Sequence, residues 1–161
     1  MRNAVLLLTA AIVLVLVNVS IWQREGLITS GRTVLLELAP VDPRSLMQGD
    51  YMALRFKVAN DAFPQGRIEG VKDGRIVLAV DPRSVGTFRR FDDGRAADDE
   101  ALLRYRVRNG QPKFATNAFF FQEKQGEFYQ GARYGEFRVD PDGEAILVAL
   151  RGAELQALGP K

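Results

Sequence analysis

Leu102-Leu103-Arg104-Tyr105-Arg106-Val107-Arg108-Asn109-Gly110-Gln111 is the stretch that decides the fold. Leu103, Tyr105 and Val107 alternate with Arg104, Arg106 and Arg108, so one face is apolar and the other cationic. That is the period of a half-buried strand. Asn109-Gly110 follows with two residues that tolerate positive φ, as a type I′ hairpin turn demands. The spacing predicts a hairpin joining 102–108 to Gln111–Gln122, a segment that contains Phe119-Phe120-Phe121.

The same period extends in both directions. Val34, Leu36 and Leu38 share one face of a strand over 32–38, which Pro40 and Asp42-Pro43 stop. Gly49-Asp50 signals a turn, and Met52, Leu54, Phe56 and Val58 alternate through a strand predicted over 51–58. Further strands are expected at 75–80 and 85–91, then an exposed loop over 95–100. Tyr134–Val139 and Glu144–Arg151 form a last hairpin around Asp140-Pro141-Asp142-Gly143. Val41-Asp42-Pro43-Arg44-Ser45 recurs as Val80-Asp81-Pro82-Arg83-Ser84, and Val139-Asp140-Pro141 repeats its first three letters. A reused strand-end turn explains this: the Asp side chain caps the backbone and Pro fixes φ. No helix-length amphipathic pattern occurs past residue 31, so the expected fold is mainly β, an antiparallel sheet or barrel-like domain.

Ahead of that domain, Ala4 to Trp22 is uncharged: AVLLLTAAIVLVLVNVSIW. A helix of that length rises about 28 Å, the thickness of a bilayer's hydrocarbon core. Trp22 stands where an interfacial anchor belongs, with Gln23, Arg24 and Glu25 beyond it. A cleaved signal would have a shorter apolar region ending in a small-x-small site, and Asn18-Val19-Ser20 is a poor one. A core helix would show a polar face. The expected organisation is an anchor at 1–25, a connector at 26–31, a β domain at 32–151 and a tail at 152–161 that is a short helix or loose. Arg2 and the terminal amine place the N-terminus inside and the domain outside.

The 161 residues contain no His and no Cys. That excludes a Ser-His-Asp triad, HExxH metal sites, thiol nucleophiles, zinc-thiolate sites and iron–sulfur clusters. Charge is almost even, 22 Lys and Arg against 20 Asp and Glu, so there is no general field for nucleic acid. No cofactor and no metal is expected. The bilayer, through residues 4–22, is the first expected partner.

Val41 to Phe56 resembles the signature of the GDYXXLXY family, whose members are described as uncharacterised membrane-anchored bacterial proteins. Gly49, Asp50, Tyr51 and Leu54 match the name-giving letters, and Phe56 stands where the final Tyr would be. Tyr134-Gly135-Glu136-Phe137-Arg138-Val139 resembles the family's second region. The resemblance implies a membrane-anchored bacterial protein with a multi-pass membrane protein as partner; with the span and its flanking charges, the expected location is the inner membrane with a periplasmic domain. The resemblance implies no activity.

Arg44, Gly49, Asp50, Tyr51, Leu54, Tyr134, Glu136 and Arg138 are therefore the candidate ligand-binding or structural-motif residues. Asp50 can pair with Arg44 or take backbone N–H groups at its turn. Tyr51 lies beside Arg55 on the polar face. Glu127, Tyr129, Tyr134, Glu136 and Arg138 form a second polar cluster, in which Tyr134, Glu136 and Arg138 share a strand face. Asp50 and Glu136 across a cleft would suit acid–base work on a glycan; cross-strand Glu–Arg pairing is the structural alternative. Arg104, Arg106 and Arg108 face either anionic headgroups or acidic side chains. A Ser-Lys hydrolase would need Ser45 as nucleophile and a desolvated Lys57 or Lys72 as base, yet neither lysine lies in an apolar stretch. The expected role is a non-catalytic accessory subunit of a membrane complex, with an envelope enzyme or carbohydrate binder as the alternative.

Overall fold

The computed structural model describes residues 2–39, 47–48, 51–64, 71–108 and 110–160. The chain is mainly β, a curled seven-stranded half-barrel behind one long apolar helix. That helix, α1 (Arg2–Ser30), is followed by β1 (Arg32–Glu37), β2 (Met47–Gln48), β3 (Tyr51–Ala53), α2 (Lys57–Ala62), β4 (Gly74–Val80) and β5 (Val85–Phe91). Next come β6 (Glu100–Arg108), β7 (Gln111–Phe114), β8 (Ala118–Phe120), β9 (Tyr134–Val139) and β10 (Ala145–Arg151). The large sheet has the order β10-β9-β1-β5-β4-β6-β7, and β2-β3-β8 form a small one.

Most pairings are antiparallel, as the hairpin signals require, but β1 and β5 run parallel. The expected hairpin pairing of β6 with β7 forms, with Arg108 opposite Gln111 and Gly110 at φ +67°, while Asn109 lies outside the described residues. Its second strand is shorter than expected, because the chain breaks at 115–117 and β8 crosses to the small sheet. Inner positions build one core from Val34, Leu36, Ile76, Leu78, Leu103, Tyr105, Phe137 and Leu150, and β3 and α2 add Met52, Val58 and Phe63.

Three expectations are corrected here. The strand predicted over 51–58 ends at Ala53, and 57–62 is helical. Apolar residues at 54, 56 and 58 fit period two, but Val58 and Ala62 also fit a helix's i,i+4 spacing and are both buried there. The connector at 26–31 is helical to Ser30, since its polar Thr29 and Ser30 return hydrogen bonds to Glu25 O and Gly26 O rather than breaking the helix. The tail is neither helix nor loose: Leu158 N–H donates to Leu150 O, and Ala157 bridges Arg151.

The ladders of β4 run on past its ends, Asp92 N–H donating to Arg75 O and Val80 N–H to Asp99 O. In the middle of β6, Arg104 N–H donates to Gly143 O at 2.8 Å, which ties the β9–β10 hairpin at one end of the strand order to β6 near the other and so closes the curl of the sheet. Gly143 has φ +86°, and a Cβ there would sit 3.1–3.2 Å from atoms of Leu102 and Arg104.

The recurring Asp-Pro turn is confirmed in both copies that the structure describes. Asp81 Oδ1 accepts from Arg83 N and Val85 N, and Asp140 Oδ1 accepts from Asp142 N and Glu144 N. The fourth residue is left-handed in each, Ser84 at φ +66° and Gly143 at +86°. The bond from Val85 N–H, with those from Arg83, holds the Asp81 carboxyl below the usual range against its desolvation. The copy at Asp42 lies outside the described residues. Ser84→Gly is expected to stabilise the fold by about 0.5–1 kcal/mol, and Gly143→Ala to destabilise it by about 1–2 kcal/mol; thermal unfolding of the two variants checks both signs.

Candidate functional site

Arg44, Gly49 and Asp50 lie outside the described residues, as does Ser45. The residues on either side of Gly49 and Asp50 pair, Gln48 opposite Tyr51 and Met47 opposite Met52. Tyr51 is half-buried on β3, its ring 5.8 Å from Phe120. Leu54 is buried in the core. So is Phe56, edge-on to Phe137 at 5.3 Å.

Tyr134, Glu136 and Arg138 share the outer face of β9, because Phe137 and Val139 between and beyond them enter the core. Glu136 is buried. Arg151 on β10 reaches its Oε2 with both Nε and Nη2 at 2.6 Å, and donates from Nη1 to Leu155 O. This is the cross-strand Glu–Arg pairing, with a cation that sequence reasoning did not name. Arg138 donates to Thr33 Oγ1 at 2.6 Å and to Gly31 O at 3.4 Å, fastening the end of α1 to the sheet. Tyr129 leaves the polar cluster: it is buried, 5.0 Å from Phe119 and stacked on Phe121 at 5.5 Å, while Glu127 is exposed. An aromatic run at 119–121 was the signal for that packing.

Tyr51 and Glu136 do not converge. Tyr51 sits on the small sheet against Phe120, whereas Glu136 sits on the large one and is taken by Arg151. Lys57 pairs with Glu37 at 3.0 Å, and this carboxylate raises its pKa above the ordinary lysine value, which is contrary to what a desolvated base needs. Lys72 is exposed. The arginine row of β6 meets acids: Arg104 and Arg106 share Glu144, and Arg108 binds Asp73 at 3.2 Å. Val107 N–H, with Arg108, keeps the Asp73 carboxyl low despite desolvation. No cluster of three metal-ligating side chains occurs among the described residues.

A concave feature that the sequence did not announce lies where α1 meets the sheet. A groove of about 800 Å³ has Trp22, Gly26, Leu27 and Ser30 on one wall and Leu102 and Val139 on the other. The helix residues recur at i, i+4 and i+8, one face of two turns. Glu100 at its rim is buried but satisfied by Arg90 at 2.9 Å, Arg89 at 3.3 Å and Ala97 N–H at 3.0 Å. A Cβ on Gly26 would meet nothing within 4 Å, so this wall has open space in front of it. The lining comes from segments far apart in sequence, mostly small or apolar, so no local pattern marked it.

A family model described as "GDYXXLXY protein" matches residues 13–150. The chain belongs to the GDYXXLXY family. No curated protein and no solved structure matches it. In this GDYXXLXY chain the letters divide by role. Leu54 and the terminal position, Phe56, are core packing, whereas Tyr51 faces outward. Phe56 needs no hydroxyl because its ring meets Phe137.

Arg151→Ala in the full GDYXXLXY chain leaves the Glu136 carboxylate buried without its cation. The expected cost is about 2–3 kcal/mol, with Arg151 partly solvated, and Glu136→Gln combined with Arg151→Met recovers most of it. Chemical denaturation of the single and double variants measures the difference.

Proposed function

We propose that this chain is a single-span protein of a bacterial inner membrane, its β domain on the periplasmic side, acting as a non-catalytic accessory subunit of a membrane protein complex. The groove beside α1 carries this reading. It starts at Trp22, where the span meets the headgroups, and follows the same helix for two turns. Its volume is close to that of two turns of a second helix, about 10 Å across and about 11 Å long. The span itself is apolar on all sides and buried against nothing in its own chain. The end of a transmembrane helix from a multi-pass partner is the occupant that fits both surfaces.

The charged side chains support a binding role over chemistry. Glu136, Glu100, Glu144 and Lys57 are each committed to a structural partner. The orientation rests on Arg2 and the N-terminal amine preceding the span, while Arg24 is offset by Glu25.

A Cβ on Gly26 meets nothing within 4 Å, so Gly26→Trp can grow into the groove from the helix side. The full chain, solubilised in mild detergent, is expected to migrate with a multi-pass protein. The Gly26→Trp variant is expected to lose that protein while keeping its melting temperature. A wild-type chain that is strictly monomeric, or a variant that keeps the same assembly, contradicts the accessory role.

A further inference from the structure

We infer that the underside of the β domain is a bilayer-contact surface, with Phe120 set into the lipid headgroup layer and backed by the signature Tyr51. Phe120 is 75% exposed, as open as Trp22 and more so than Phe91 or Phe128. Its ring is held in place: Phe120 pairs with Tyr51 across β8 and β3, and the two rings lie 5.8 Å apart. An aromatic fixed by its neighbour and turned to solvent is a costly exposure of apolar surface, which burial in an interface removes.

The depth of Phe120 comes from α1. Arg24 and Phe120 line the same shallow depression of about 340 Å³, together with Thr116 and Ile146. Arg24 is two residues beyond Trp22, a rise of only about 3 Å. Phe120 thus stands on the level at which the span leaves the hydrocarbon, where aromatic rings are enriched at membrane–water interfaces. Arg24 beside it is suited to lipid phosphate. The β6–β7 hairpin tip lies at the other end of β6: Glu100 at the start of the strand adjoins the groove at α1, and eight residues, about 26 Å, separate it from Arg108.

The inference rests on the membrane anchoring proposed above but on no partner protein. It assigns the outward Tyr51 of the signature a positioning role: it orients Phe120 instead of touching a substrate.

The chain has one tryptophan, Trp22, so emission reports a single site. The full chain is reconstituted in bilayers of phosphatidylcholine with and without a phospholipid brominated near the top of its acyl chains. Three proteins are compared: the wild type, Trp22→Phe with Phe120→Trp, and Trp22→Phe with Gln111→Trp. Residue 111 is exposed beside Arg108, at the end of β6 away from the groove. Wild-type emission and that of the Phe120→Trp protein are both expected to fall by about half or more, with that of the Gln111→Trp protein unchanged. Quenching at residue 22 without quenching at 120 overturns the contact and leaves the anchor intact. No quenching at 22 removes the anchor and the contact together. Equal quenching at 120 and 111 also overturns it, since no face would then be selected. Blue-shifted but unquenched emission at 120 assigns the surface to a protein neighbour and overturns the lipid reading.

Discussion

The helix that leads into the domain does not end before the sheet begins. Gly31 is the one residue between Ser30 of α1 and Arg32 of β1, and its N–H still donates to Leu27 O at 2.9 Å. A Cβ at Gly31 would stand 2.4 Å from Leu27 O and 3.1 Å from Arg138 Cβ, so only glycine lets helix and sheet approach this closely. Arg138 closes the junction from the sheet side by donating to Gly31 O, a cation at a helix C-terminus. With no slack at this joint, the position of the domain above Trp22 is a property of the fold. The groove and the underside described above exist only because of it.

The sheet's charges follow the same economy. Arg75 and Arg104 lie directly opposite on adjacent strands, a repulsive arrangement on its own. Each is drawn to an acid, Arg75 to Asp92 at the end of the adjacent β5 at 2.7 Å and Arg104 to Glu144 just ahead of β10, from the other end of the strand order. Glu144 follows the turn whose Gly143 carbonyl takes the Arg104 N–H, so charge pairing and backbone closure act at one place. Of the two pairs, only Arg104–Glu144 bridges the ends of the curled sheet. The apolar surfaces near α1 are the parts of the molecule that the fold leaves open.

Alternation alone made the large sheet legible. Leu103-Arg104-Tyr105-Arg106 obeys period two because one face of β6 is buried and the other open, whereas in β1 and β9 both faces are covered over 34–36 and 135–137 and alternation shows only in which residues join the core, Val34, Leu36 and Phe137. The Asp-Pro turns were legible because capping is local. Where pairing depends on the distant chain, the sequence was silent. Nothing near Leu35 indicates a parallel neighbour fifty residues on, and nothing at 57–62 separates a strand from a helix when both spacings fit. The candidate residues were legible by face and not by partner: Tyr134, Glu136 and Arg138 do align, but Arg151, Thr33 and Gly31 reach them through the β9 pairings and the helix end. The groove was invisible for the same reason, being a surface between segments rather than a pattern within one.

The central claim is that α1 stays rigid from its apolar segment to the first strand. Amide hydrogen exchange across residues 23–31 of the full chain in lipid nanodiscs tests this most directly. The account predicts protection that continues unbroken from the span through Gly31, whose N–H is bonded to Leu27 O. Exchange over 23–31 at the rate of an unstructured peptide would contradict it, because the domain would then swing on a tether and have no fixed underside.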